Sequence, residues 1–257
     1  MSIDSAILEG RNIEIRKGRT VIINVPQIKI KKGEFVSFIG PNGAGKTTLL
    51  QTLCCLLKPN KGEIFFNGKK VNSGIDVVDF RRKVTMVFQE PLLFDTKVFD
   101  NVASGLRFRG VKKADIEQKV IENLDVFGIT HLKDRFARTL SGGEARRTCL
   151  ARAFATEPEI LLLDEPFVFL DYPTRESLFV DLEKILGKTK TTTIFATHDY
   201  LEAIHFSDRF VVMEKGMIVQ TGSFEEVMEK PVNKFISSFA AANRQKQTDC
   251  TSSKPFE

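Results

Sequence analysis

The sequence predicts an α/β fold, with short strands alternating with helices around a sheet covered on both faces. Three observations predict it. Several strand-like runs are apolar throughout, as strands buried on both faces are. One of them runs into a glycine-rich turn that opens directly into a segment of helical period. Between about residues 92 and 156 the texture changes from strand to amphipathic helix. The 257 residues suffice for one large domain or two small ones sharing a core. A content of 42% hydrophobic and 28% charged residues is ordinary globular usage.

The elements follow in order. Residues 20 to 39 read as two strands split by Lys31-Lys32-Gly33. VIINVPQIKI alternates loosely, and FVSFI is a short run suited to a buried strand. From Lys46, KTTLLQTLCCLL has helical spacing and stops before Lys58-Pro59-Asn60-Lys61-Gly62. Further strands are expected at 63–67 (EIFFN), 84–88 (VTMVF), 159–163 (EILLL), 191–196 (TTTIFA) and 210–213 (FVVM). In the insertion, Ile116, Val120, Ile121, Leu124 and Phe127 share one helical face with charges opposite. The last stretch, ANRQKQTDCTSSKPFE, is polar, without apolar periodicity, and reads as a disordered tail.

Composition narrows the function classes. The excess of 38 Lys+Arg over 33 Asp+Glu gives a net charge of +5, which permits an anionic partner and identifies none. Cys54, Cys55, Cys149 and Cys250 lack the paired spacing of a zinc site, which fits a reducing compartment. No apolar run approaches the roughly 20 residues needed to cross a bilayer, and the start has no signal-peptide core. With Phe 22, Tyr 2 and Trp 0, little polar aromatic surface is available for stacking bases, and nucleic acid is not expected as a partner. There is no internal repeat and no coiled coil.

The strongest local signal is Gly40-Pro41-Asn42-Gly43-Ala44-Gly45-Lys46-Thr47-Thr48, a G-x-x-x-x-G-K-[ST] pattern between a predicted strand and a predicted helix. Its glycines let backbone N–H groups converge on phosphate oxygens, the helix N-terminus adds its dipole, and Lys46 supplies a point charge. The Thr47 hydroxyl is a Mg²⁺ ligand in this pattern. Leu161 to Leu163 would deliver Asp164 to the carboxyl end of the sheet, within reach of that Mg²⁺. The adjacent Glu165 could polarise an attacking water. Leu140-Ser141-Gly142-Gly143-Glu144 opens a predicted helix and makes a second anion-binding terminus, although locally Ser141 could simply be a cap.

With these segments in order, the chain resembles the nucleotide-binding subunit of ABC transporters from about residue 6 to residue 230. GPNGAGKTT resembles the Walker A loop, Gln89 in VFQEP the Q-loop glutamine, and LSGGE the signature motif. ILLLDEP resembles Walker B, Leu170-Asp171 the D-loop, and His198 in ATHD the switch histidine. The resemblance implies a P-loop NTPase (RecA-like) core, 1–90 and 157–235, with an antiparallel β subdomain and an inserted helical subdomain over 91–156. Residues 236–257 are left as the tail. It implies an ATPase that takes ATP and Mg²⁺ and pairs head to tail, so that Ser141, Gly142, Gly143 and Glu144 contact the ATP held by the other subunit's Walker A loop. By the same resemblance Gln89 helps hold Mg²⁺ and senses a permease, Glu165 is the catalytic base, and His198 contacts the γ-phosphate and water. Alone, Gln89 and His198 would read as ordinary polar residues.

Three departures from the family pattern stand out. Arg16 and Lys17 occupy the place of an adenine-stacking aromatic, Glu144 replaces the commoner Gln and adds negative charge near the phosphates, and Val168, followed by Phe169, replaces a D-loop Ser.

With one nucleotide-binding unit and no membrane span, the resemblance implies a peripheral subunit at the cytoplasmic face of the membrane. Its partners would be an integral-membrane permease, an extracytoplasmic solute-binding protein, and a second copy or a paralogous ATPase. EPLLFDTKVFDNVASGLRFRG, after Gln89, resembles the region that meets the permease's coupling helices; the alternative is a plain helical insertion packed on the core. SGGEARRTCLARAFATEPEILLLDEPF and THDYLEAIHFSDRFVVMEKGMIVQTGSFEEV are most similar to importers of the oxyanions tungstate and molybdate. An added carboxyl-terminal regulatory domain is not expected. The alternatives are an importer of sulfate, polyamine or metal, an exporter or lipoprotein-releasing ATPase, and a soluble ABC protein outside transport.

Overall fold

A computed structural model describes residues 6–238, without the Tyr200 side chain. The expected α/β class is borne out, with two sheets and a helical layer. The first sheet is antiparallel, in the order β2-β1-β4-β5, from β1 (Ala6–Lys17), β2 (Thr20–Lys31), β4 (Lys61–Phe66) and β5 (Lys69–Lys70). The second is six-stranded, in the order β10-β9-β3-β8-β7-β6. It comprises β3 (Phe35–Ile39), β6 (Val84–Val87), β7 (Ile160–Asp164), β8 (Thr192–Thr197), β9 (Arg209–Glu214) and β10 (Met217–Gly222). Its pairings are parallel from β9 to β6, and only the β9–β10 hairpin is antiparallel.

The apolar runs are buried as their composition requires, since every residue of β7 and β8 is buried. One face of the parallel sheet packs with α1 (Lys46–Leu53) and the antiparallel sheet. That core gathers Phe38 of β3, Leu49 of α1, Leu162 of β7, Ile194 of β8, and Ile23 and Val25 of β2. The other face packs against α5 (Gly142–Phe154) and α6 (Tyr172–Thr189) through Leu150, Leu161, Leu163, Leu178 and Phe195. Between β6 and β7 lie α3 (Val98–Phe108), α4 (Lys113–Val126) and α5. On α4 and just after it, Ile116, Val120, Leu124 and Phe127 are buried, as their spacing demanded, while Ile121 is half-buried.

Strand β1 is not among the sequence expectations, because its period is interrupted. Asn12 has φ 51°, and the pairing with β4 shifts register between Arg11 and Glu14, so the alternation of two breaks at a bulge. Helix α2 (Val77–Lys83), capped by Asp76, strand β10, and α7 (Tyr200–Phe206) and α8 (Phe224–Glu229) were likewise not expected. From 239 the expected tail lies outside the described residues, and before that point Ile236 is buried beside Phe210 and Val227. Among the described residues no helix is long and apolar enough to cross a membrane.

Candidate functional site

The glycine-rich turn lies between β3 and α1, at the carboxyl end of the parallel strands, where ligands bind in open α/β sheets. Gly45 caps α1 at φ 100°, and a Cβ there would lie 2.4 Å from Ile23 Cδ1, so the turn requires glycine. Asn42 to Thr48 line a cleft of about 630 Å³ together with Ile22, Gln89, Glu165, Val168, Phe169 and His198. Gly40 and Pro41 stand behind it and give their carbonyls to the Lys46 ammonium, at 2.8 and 3.4 Å.

Lys46 is 6% exposed and lies 3.6 Å from Glu165 Oε1. Burial lowers its pKa, and the charges of Glu165 and Asp164 oppose that shift. Asp164 ends β7 beneath the cleft and accepts a hydrogen bond from the Thr47 hydroxyl at 3.0 Å. Burial raises its carboxyl pKa, which the Thr47 bond counters. The pair suits Mg²⁺, which is held by few carboxylates, a hydroxyl and the substrate's own phosphate oxygens. Glu165 takes φ 47°, with its N–H bonded to Ala196 O at 2.9 Å. That left-handed backbone, costing of order 1 kcal/mol, is held by the strand pairing beside it. Its Oε2 lies 2.8 Å from His198 Nδ1, so an Nδ1–H tautomer donates to the carboxylate and leaves Nε2 as an acceptor. The histidine side chain is 49% exposed.

Ser141 to Glu144 lie elsewhere. Ser141 caps α5 in a capping box, with its hydroxyl accepting from the Glu144 N–H at 3.3 Å and Glu144 Oε2 accepting from the Ser141 N–H at 2.7 Å. Glu144 also pairs with Arg135 at 3.2 Å, and these contacts, the Ser141 N–H foremost, hold its pKa low. Its negative charge is thus engaged by its own helix start and Arg135. None of Ser141, Gly142, Gly143 and Glu144 lines the cleft. Asp171 caps α6, accepting from the Thr174 N–H at 3.0 Å.

Arg16 and Lys17 do not line the cleft either. Arg16 is paired with Glu14 at 2.6 Å, and the β2 residue that reaches the cleft is Ile22. Sequence reasoning also missed Arg146. It is 2% exposed, and its guanidinium donates to the carbonyls of Phe88, at 2.5 Å, and of Gln89, so the helix that begins at Ser141 fixes the main chain at Phe88 and Gln89. Paired arginines on a helix read as a solvated face, so nothing in the sequence pointed to this contact.

Gly216 was missed too, although Lys215-Gly216 between two apolar runs is a hairpin signal. Its N–H donates to Ala44 O at 2.9 Å and its carbonyl accepts from the Asn24 N–H at 2.8 Å, so the β9–β10 turn braces the phosphate loop against β2. Gly216 has φ +78°, and a Cβ would sit 2.0 Å from Ile22 O. Gly216→Ala should therefore weaken ATP binding by about tenfold or more, roughly 1.4 kcal/mol. Gly187→Ala, on the open surface of α6, should leave binding unchanged and stabilise the fold by about 0.5–1 kcal/mol. Nucleotide titration and thermal unfolding of the two variants check this.

The sequence profile described as ABC transporter matches residues 23–168, more than half of the chain, and its span includes the phosphate loop, Gln89, the Ser141 helix start and the Asp164-Glu165 pair. The chain belongs to the ABC transporter family. This ABC ATPase binds ATP and belongs to a fold shared with solved cassettes. It is 44% identical to the sulfate/thiosulfate import ATP-binding protein CysA of Pseudomonas putida, over 90% of this chain and 71% of that one. It is 41% identical to the molybdate/tungstate import ATP-binding protein WtpC of Thermococcus kodakarensis, over 82% of this chain and 63% of that one. The spermidine/putrescine import ATP-binding protein PotA of Borrelia garinii subsp. bavariensis is 39% identical, over 92% and 68%. Among solved structures, cbiO1 of Clostridium perfringens superposes with a TM-score of 0.77 at 30% identity, over 88% of this chain and 92% of that one. An ATP-binding cassette dimer in a post-hydrolysis state with ADP and Pi gives 0.76 at 30% identity, over 84% and 98%.

Proposed function

We propose that the chain is the ATP-hydrolysing subunit of an ABC importer: it pairs with a second copy or a paralogue, closes on two ATP·Mg²⁺, and drives a separate membrane permease from the cytoplasmic face, with an oxyanion such as tungstate or molybdate as cargo. The observation that carries this reading is the division of the site. The cleft gathers the phosphate loop, Gln89, Glu165 and His198, and the second anion-binding helix start, at Ser141, lies outside it. A second chain supplies what the cleft lacks, and the related dimeric cassette supports that pairing.

In the closed pair, the Asn42 to Thr48 amides and Lys46 bind the β- and γ-phosphates. Thr47, Asp164 and Gln89 would hold Mg²⁺, which when bound neutralises charge on the β- and γ-phosphate oxygens. Glu165 accepts a proton from the attacking water, and His198, fixed by its Nδ1 bond to Glu165, presents Nε2 as an acceptor to that water. Ser141 and the two glycines complete the partner's site. Asp171 stands near the junction of the two chains.

An apolar groove of about 640 Å³ between β6 and the α3–α5 layer is rimmed by the exposed Leu92, Phe94 and Phe108. Glu90, next to Gln89, is among its lining residues, which supports docking of a permease helix there. The import relatives support import, with an extracytoplasmic solute-binding protein as the cargo reader. The sulfate/thiosulfate and molybdate/tungstate relatives support an oxyanion cargo, while the spermidine/putrescine relative favours a polyamine as the second reading. ATPase activity of the chain reconstituted with its co-encoded permease and binding protein tests both. Stimulation by tungstate or molybdate, and by neither sulfate nor spermidine, is the expected result. Activity indifferent to every oxyanion would overturn the cargo assignment.

A further inference from the structure

Behind His198 lies a buried polar cluster. Thr197, fully buried at the end of β8, donates its hydroxyl to Glu202 Oε2 at 2.6 Å and accepts from the Asp199 N–H at 2.9 Å. Glu202, 5% exposed on α7, accepts at 2.8 Å from Arg175 Nη2, which also reaches Asp199 Oδ2 at 2.5 Å. Arg175 belongs to the first turn of α6, where its own N–H bonds Asp171 O at 2.9 Å. His198 therefore sits between two residues, Thr197 and Asp199, that are both anchored to one carboxylate–guanidinium pair.

We propose that Arg175 and Glu202 are positioning residues that set the His198 ring against Glu165 and tie its turn to the loop ending at Asp171. A shift of the start of α6 then moves Arg175, and with it the backbone on both sides of His198. The arrangement is specific in its chemistry. A carboxylate buried to this extent requires a partner charge, and Arg175 is the cation that faces Glu202, opposite Thr197 and the negative Asp199 and Glu165. Burial pushes the Glu202 carboxyl up to about 7, with Asp199 and Glu165 adding to the rise and Thr197 and Arg175 opposing it. Its charge therefore depends on Arg175 remaining in place.

The inference rests on the proposed role of His198, and a double-mutant cycle on ATPase activity of the full chain separates the two. Arg175→Met should lower kcat by about tenfold while the KM for ATP stays within about twofold, and Arg175→Lys should recover part of the loss. In a His198→Ala background neither Arg175→Met nor Glu202→Gln should cost anything more, because residues acting through one group are not additive. Wild-type kcat in both Arg175→Met and Glu202→Gln would overturn the inference, as would losses that multiply in full with His198→Ala. Glu202→Gln, which keeps the shape and a donor and acceptor, carries the test should Arg175→Met fail to fold. A wild-type rate in His198→Ala instead would remove the role of His198 itself, and the inference with it.

Discussion

Glu165→Gln should bind ATP with undiminished affinity, hydrolyse it at least about a hundredfold more slowly, and accumulate as a closed pair of chains. The basis is geometric. Glu165 is 7% exposed, turned into the cleft by a left-handed backbone, and bonded at 2.8 Å to His198. Glutamine keeps that shape, and its amide oxygen still accepts from His198 Nδ1–H, but it no longer takes a proton from water. General-base catalysis contributes about 10²–10⁴-fold, about 3–5 kcal/mol of barrier at 1.36 kcal/mol per decade. Binding should be unchanged or tighter, since a negative charge leaves the neighbourhood of the phosphates. Single-turnover hydrolysis and size-exclusion chromatography with ATP and Mg²⁺ read both effects. Turnover at the wild-type rate would exclude Glu165 as the base.

Lys46→Ala should abolish ATP binding. The ammonium is buried, 2.8 Å from Gly40 O and 3.6 Å from Glu165 Oε1, and approaches the phosphates from a position no other side chain of the cleft duplicates. Removing one member of a buried charge contact costs about 2–5 kcal/mol, which is roughly 30- to several-thousandfold in affinity. A ligand at 100 times its Kd stabilises a protein by about 2.7 kcal/mol, so the melting temperature reports the loss directly. Wild-type chain should gain thermal stability with ATP·Mg²⁺, and Lys46→Ala should gain none. Undiminished protection would contradict the role of Lys46. The variant without nucleotide should also be less stable at neutral pH, because Asp164 and Glu165 lose the cation between them. Asp164, its pKa already raised by burial, then relieves the strain by taking up a proton as pH falls.

The site was legible where its residues are contiguous. The phosphate loop, Asp164-Glu165 and the Ser141 helix start each declare their chemistry by local spacing, and the fold delivers the first two to one cleft. What stayed hidden depends on contacts between distant segments. Arg146 reaches the Phe88 and Gln89 carbonyls, 58 and 57 residues back, and Arg175 reaches Glu202, 27 residues on. The adenine end illustrates the same limit. Counting from the family pattern pointed to Arg16 and Lys17, whereas Arg16 pairs with Glu14 two residues back on its own strand, and a register shift between β1 and β2 leaves Ile22 unpaired and lining the cleft. Glu144 carries the charge that the family resemblance sets near the phosphates, and within the chain that charge is also engaged by a capping bond and by Arg135. Strand β1 was lost to its bulge, a feature of backbone geometry that composition does not record.

The brace at Gly216 couples nucleotide occupancy to the dynamics of the sheet's edge. Its two hydrogen bonds make the β9–β10 turn and the Asn24 amide parts of the same cooperative unit as the phosphate loop. An opening that frees the hairpin must also release Ala44. Any ligand that favours the closed loop therefore suppresses that opening by its full binding energy, and solvent hydrogen exchange at Gly216 and Asn24, two amides without a proposed contact to nucleotide, becomes a remote gauge of whether the cleft is filled.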